Sequence, residues 1–237
     1  MTKDKKTGCI VCGDELIYAK TEKKLNCSYC EGNYETQVFC SSGHFICDDC
    51  HAYPAYKIIR ETCLNSKSVN PIEMAQKLFA HPSIKMHGPE HHFLVPAVLL
   101  TAYYNKKNKA GKLAGKLKFA EQRASNVPGG FCGYYGACGA GIGTGIFYSL
   151  ITDTTPVSKE SWKQANMLTS GSLDRIAHKG GPRCCKRDSL IALQTAMDFL
   201  FEETGIELES TDHFNCNYSE LNKECLHQAC DFHTNEH

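Results

Sequence analysis

Residues 9–51 read CIVCGDELIYAKTEKKLNCSYCEGNYETQVFCSSGHFICDDCH. Two Cys-x-x-Cys pairs, Cys9/Cys12 and Cys27/Cys30, precede a C-x3-H-x2-C-x2-C run of Cys40, His44, Cys47 and Cys50, and His51 follows directly. A Cys-x-x-Cys turn offers two thiolates to one metal because its backbone N–H groups point back at the sulfurs. A second such pair closes a tetrahedron. Gly13 after Cys12 and Glu31-Gly32 after Cys30 supply the tight turns these knuckles need. Two zinc ions use all eight ligands. One pairing takes Cys9/Cys12/Cys27/Cys30 as a ribbon and Cys40/His44/Cys47/Cys50 as a second site; an interleaved pairing is the alternative. Closed four-coordinate sites leave no open position, so they are expected to fold the segment rather than catalyse.

Composition bears on how those thiols are read. The chain has 237 residues, with 26 Lys+Arg against 26 Asp+Glu. That length suits one or two domains. Zero net charge argues against a nucleic-acid or membrane-surface binder held by electrostatics. With 42% hydrophobic and 22% charged residues the chain is globular rather than disordered. Residues 1–25 contain no apolar stretch fit for a signal peptide, and the longest apolar run, 93–104, is broken by Pro96 and Thr101. That run is too short to span a bilayer. A cytoplasmic location is therefore expected, where thiols stay reduced and Cys-x-x-Cys pairs mean metal or redox chemistry. The 15 cysteines are also an odd number, which speaks against a pure disulfide scaffold.

Beyond Ala52 the signals are helical. Asn70-Pro71 places a capping side chain before a Pro at the first helical position, predicting a helix to about residue 80. Gly88-Pro89 opens another, to about residue 105, which Pro96 should kink. Leu113, Leu117, Ala120 and Ala124 mark a third, and residues 158–178 a fourth that stops at Gly180-Gly181-Pro182. Leu190, Leu193, Met197, Leu200, Phe201 and Thr204 keep the 3.6-residue period until Gly205.

A second group of cysteines sits among these helices. Residues 129–150 read GGFCGYYGACGAGIGTGIFYSL and residues 180–190 read GGPRCCKRDSL. Cys132 and Cys138 lie in a glycine-rich loop, and Cys184 and Cys185 at the start of the Leu190 helix. Helix N-termini stabilise thiolates and anionic clusters, and Lys186 and Arg187 should lower the thiol pKa further. The four cysteines suit an iron–sulfur cluster or a redox dithiol. The bland alternative is that the glycines only permit close helix packing. No apolar strand precedes them, as a dinucleotide or SAM fingerprint would require.

The third group is the tail, where Cys216, Cys225, Cys230 and His233 either form a third zinc site or fold back to complete the cluster site. His227 and His237 lie nearby. Finally, His87, Glu90, His91 and His92 crowd into HGPEHH, a metal site or acid/base pair if it is not simply a polar first turn.

The ordered segments CIVCGDELIY, CSYC, CSSGHFICDDCH, HGPEHHFLVPAVLLTAY, PGGFCGYYGACGAGIGTG, GGPRCCKRDSL and CNYSELNKECLHQACDF resemble a family known as domain of unknown function 5714. That resemblance implies a Cys-rich domain that stands alone or is fused to SAM-dependent methyltransferases, mostly in anaerobic microbes. CGYYGACGAGIG and the stretch after Cys184 are locally similar to the C_GCAxxG_C_C family, to which redox activity is ascribed. The stretch from Cys27 to Cys50 resembles the first six ligands of a RING finger, with the remaining pair placed before it instead of after. No reaction is carried over from any of these.

The expected architecture is an N-terminal zinc-ribbon/RING-like module, small and irregular with short strands (1–55). An all-α helical domain with a Gly/Cys-rich site (56–208) and a Cys/His-rich metal-binding tail (209–237) follow. The leading functional expectation is an anaerobic metalloprotein of redox or sulfur and electron transfer, with two structural zincs and an iron–sulfur or reactive-thiol site. Its partner would be a methyltransferase or a redox protein. The alternatives are a non-catalytic zinc interaction module that partners a SAM-dependent methyltransferase, and a His-metal hydrolase or lyase.

Overall fold

The computed structural model describes residues 8–211 and 214–233. The chain begins with an antiparallel hairpin of β1 (Leu16–Asn26) and β2 (Asn33–Cys40). Tyr, Thr, Ile, Val and Phe give these strands their β-propensity. Leu16 pairs with Cys40 and Asn26 with Asn33, so Cys40 stands at the hairpin base and Cys27 just beyond its tip. At 11 residues β1 is longer than the short strands expected, and its register slips between Tyr18 and Lys23. Most of β1 is solvent-exposed, which is why no apolar alternation marks it in the sequence.

Helix α1 (Asp48–Asn65) grows directly out of Cys47 and runs without a break across residue 55, where the sequence reading places a boundary. In α2 (Pro71–Phe79), Asn70 caps as expected: its Oδ1 accepts the Glu73 N–H at 3.0 Å. Helices α3 (Glu90–Lys106), α4 (Leu113–Ser125), α5 (Phe131–Tyr134), α6 (Gly139–Ile151), α7 (Glu160–Lys179) and α8 (Cys185–Thr204) complete the helical unit. Gly205 closes α8 in the left-handed region at φ 68°. Residues 90–102 of α3 are all buried, the mark of a central helix with no wet face. It packs against α1, α2, α4, α6 and α8.

Pro96 lies inside α3 without ending it. A proline there leaves the His92 carbonyl without its helical partner, and Gly143 of α6 packs over that carbonyl and the Pro96 ring. A Cβ on Gly143 would sit 2.9 Å from Pro96 Cδ and 3.2 Å from the His92 oxygen. Gly139 faces the same helix through the His92 ring, whereas Gly141 and Gly145 face Leu173 and Thr169 of α7. The glycine run therefore lets one helix lie close between two others. This is the close helix packing that the sequence offered as the alternative.

The tail folds back as a closed loop: the Cys216 N–H donates to the Phe232 carbonyl at 2.7 Å, and the Phe214 and Phe232 rings meet edge on. Among the described residues no helix is long and apolar enough to cross a membrane. His237 lies outside the described residues.

Candidate metal centres

The eight N-terminal ligands form two sets, Cys9/Cys12/Cys40/His44 and Cys27/Cys30/Cys47/Cys50, each with its ligand atoms within 4.8 Å of one another. The pairing is interleaved, so the consecutive ribbon arrangement is overturned. The hairpin is the reason. It carries Cys40 back to the Cys9/Cys12 knuckle at its base, and the following loop brings Cys47 and Cys50 to the Cys27/Cys30 turn at its tip.

Local geometry fits a metal at each end. Cys12 and Cys40 Sγ are 3.4 Å apart, and Cys30 and Cys47 Sγ 3.7 Å. A tetrahedral zinc with bonds of about 2.3 Å sets sulfurs roughly 3.8 Å apart. Gly13 (φ 80°) and Glu31 (φ 60°) take the left-handed turns after the knuckles, so Glu31 rather than Gly32 makes the second. His44 Nδ1 is buried with no hydrogen-bond partner. Burial acts to raise the Cys27 thiol, yet the N–H groups of Cys47, Cys30 and Tyr29 bring it down to about 6. Cys40 is likewise carried against burial to about 6 by the Ser42 N–H and His44. Both are thereby predisposed to be the thiolates a metal requires.

Three contacts join this module to the helical unit. Asp48 Oδ2 accepts the Gly129 N–H at 2.6 Å, Arg183 donates to the Tyr18 hydroxyl at 2.5 Å, and His51 Nδ1 lies 3.7 Å from Glu90 Oε2.

Glu90 is the hub of the HGPEHH segment. Its Oε1 accepts the Lys85 N–H at 2.8 Å. His91 is fully buried, with Nε2 on the Lys85 carbonyl at 3.1 Å and Nδ1 3.3 Å from Ser189 Oγ. His92 Nδ1 donates to the Val127 carbonyl at 2.9 Å, and His87 Nε2 lies 3.1 Å from both Asn222 Oδ1 and Glu224 Oε2. Burial lowers the pKa of all three histidines; Lys186 adds to the effect at His91 and Arg183 at His87. Each is thus a neutral connector with its own structural partner. Among the described residues they form no ligand set like the two above.

The thiols of the helical unit divide at Cys184/Cys185. Cys185, half-buried, takes the Gly88 N–H and feels the charge of Cys138. Cys138 caps α6, faces the Ala140 and Gly141 N–H groups, and lies 3.8 Å from Asp188 Oδ2. Cys132 is within electrostatic reach of Cys138. Cys184 instead lines a cavity with Cys216, Cys225 and Cys230. Among the described residues Cys132, Cys138, Cys184 and Cys185 form no ligand set like the two N-terminal ones.

Arg187 does act to lower the Cys184 thiol, as expected, but it does not decide the outcome. Arg187 pairs with Asp188 at 3.0 Å and Lys186 donates to the Phe79 carbonyl at 3.1 Å. Burial then wins. It raises Cys184 to about 11, raises Cys138, with Asp188, to about 12, and lifts Cys185 well above the ordinary value. Asp188 went unread in the sequence, though a carboxylate directly after Lys186 and Arg187 at the start of an apolar helix was the available signal.

A family model described as a family of unknown function, DUF5714, matches residues 59–233. The chain belongs to that family. The match takes in every cysteine of the helical unit and tail, while the eight N-terminal ligands precede it. No curated protein and no solved structure matches the chain.

Proposed function

We propose that this DUF5714 member is a metalloprotein of redox or sulfur and electron transfer, with zinc holding its N-terminal module and metal-bound thiols doing the chemistry of its helical unit. The observation that carries this reading is the state of the thiols of the helical unit and tail. Burial raises the Cys184 and Cys216 thiols and holds them protonated near neutral pH, which makes them poor free nucleophiles. A metal removes that obstacle, since a coordinating thiol is deprotonated outright. Zinc suits the N-terminal sets because both are closed arrangements of four Cys/His ligands. On this reading residues 1–55 are the zinc module, 56–208 the helical unit and 209–237 a metal-binding tail. Purification without oxygen, followed by metal analysis, tests it: two zinc ions per chain plus iron supports the reading, and a chain free of iron and of labile sulfide removes the redox part.

A second reading has its own support. Ile17, Tyr18, Tyr29 and Tyr53 of the N-terminal module are exposed, Tyr53 at 72%. Exposed aromatic side chains suit docking, and by family resemblance the partner would be a SAM-dependent methyltransferase. Tyr29→Ser together with Tyr53→Ser should then abolish co-purification with the methyltransferase and leave metal content unchanged.

A further inference from the structure

Four cysteines from two distant parts of the chain line one cavity. Cys184 comes from the N-cap of α8, and Cys216, Cys225 and Cys230 from the tail that folds over it. Met86, Leu190, Phe214, Leu226 and Phe232 give it apolar walls. Among the described residues, no three ligand atoms here lie within 4.8 Å of one another, unlike the two N-terminal sets. A single tetrahedral ion needs its sulfurs roughly 3.8 Å apart. A polynuclear cluster, in which each iron takes its own thiolate, needs them further apart with room between.

The surroundings fit an anion. Lys186 is buried at the cavity, its ammonium 4.4 Å from the Tyr218 ring centre and 4.7 Å from that of Phe79. Arg187 also lines it, with its charge paired to Asp188. The sulfurs already meet donors: Cys184 faces the Arg187 N–H, Cys216 the Tyr218 N–H, and Cys225 accepts the His227 N–H at 3.3 Å. Such N–H···S contacts, with burial, are what set cluster stability and potential.

We propose that Cys184, Cys216, Cys225 and Cys230 hold a 4Fe–4S cluster, its negative charge balanced by Lys186 and the N-terminus of α8. What the cluster does rests on the electron-transfer reading above; its ligation does not. Cys132, Cys138 and Cys185 lie outside it.

The test uses the full chain, purified anaerobically and reconstituted with ferrous iron and sulfide. Iron and labile sulfide are measured together with the visible spectrum. Expected is a brown protein with cluster iron, which falls to background in Cys184→Ala, Cys216→Ala, Cys225→Ala and Cys230→Ala while helical circular dichroism stays native. Cys132→Ala and Cys185→Ala should keep full iron. Iron unchanged in the first four variants, iron lost in the last two, or a wild-type chain that takes up only zinc overturns the assignment. Lys186→Met is the second probe, since it removes charge without removing a ligand. Iron should be retained and the midpoint potential should fall; an unchanged potential overturns the charge-balancing role. A cluster that binds as stated but accepts no electron from dithionite leaves the ligation standing and refutes the electron-transfer reading.

Discussion

Arg187 and Asp188 form an ion pair in which both side chains are only 5% exposed, at the point where the two thiol groups of the helical unit part. Breaking such a pair leaves an uncompensated buried charge, at a cost of about 3–5 kcal/mol. Asp188→Asn should therefore destabilise the helical unit by that order in denaturant titration. It should also let Cys138 ionise at lower pH in a thiol-reactivity profile, because Asp188 helps burial hold that thiol at about 12. The histidines give a second test at this scale. His87, His91 and His92 have folded pKa values below the ordinary 6.5, so the unfolded chain takes up protons that the folded chain refuses. Stability is then complete above pH 6.5 and falls as the pH drops below it, by up to about 1.4 kcal/mol per unit for each histidine. Denaturation followed by helical circular dichroism on either side of pH 6.5 checks the slope, and His91→Gln should flatten it. The adjacent pair Cys184/Cys185 shows where sequence reading stops. Neighbours on a helix point about 100° apart, so a CC dipeptide at a helix start says that two thiols are near but not that they serve different places.

Among the elements, α6 makes the sharpest case for packing over chemistry. Gly143→Ala gains helix propensity worth about 1 kcal/mol. Its Cβ, however, would meet Pro96 and the His92 carbonyl, neither of which can swing away. We expect a net loss of about 1–3 kcal/mol from overpacking. Gly115→Ala on α4, where nothing lies within 4 Å, should instead stabilise by about 0.5–1 kcal/mol. The hairpin yields a different test. Because the ligand sets interleave, Cys40→Ser should open residues 9–15 as well as the loop after β2 to protease, and zinc content should fall by one of the two sites. A consecutive pairing would leave residues 9–30 protected. Helices α2 and α8 were legible because a capping Asn-Pro and a sustained apolar period act locally. Helix α1 was not, since its first turn is made of metal ligands and acidic residues and Pro54 lies inside it. Ligand spacing gave the eight N-terminal residues but not their partners, because pairing depends on where a hairpin of Lys-rich, solvent-facing strands turns.

At the scale of the molecule, the HGPEHH segment holds the parts together. It touches α1 through His51, the tail through His87, α8 through His91 and α6 through His92. Four histidine or carboxylate side chains in six residues read as a catalytic cluster from the sequence. Folding sends each toward a different element. In the proposed holo-protein, two zinc-braced knuckles accompany one cluster closed by the tail. Native mass spectrometry of the full chain, kept free of oxygen from lysis onward, measures this directly. The predicted mass is that of the polypeptide with two zinc ions and one 4Fe–4S cluster. A bare polypeptide, or one carrying zinc alone after reconstitution with iron and sulfide, would contradict it.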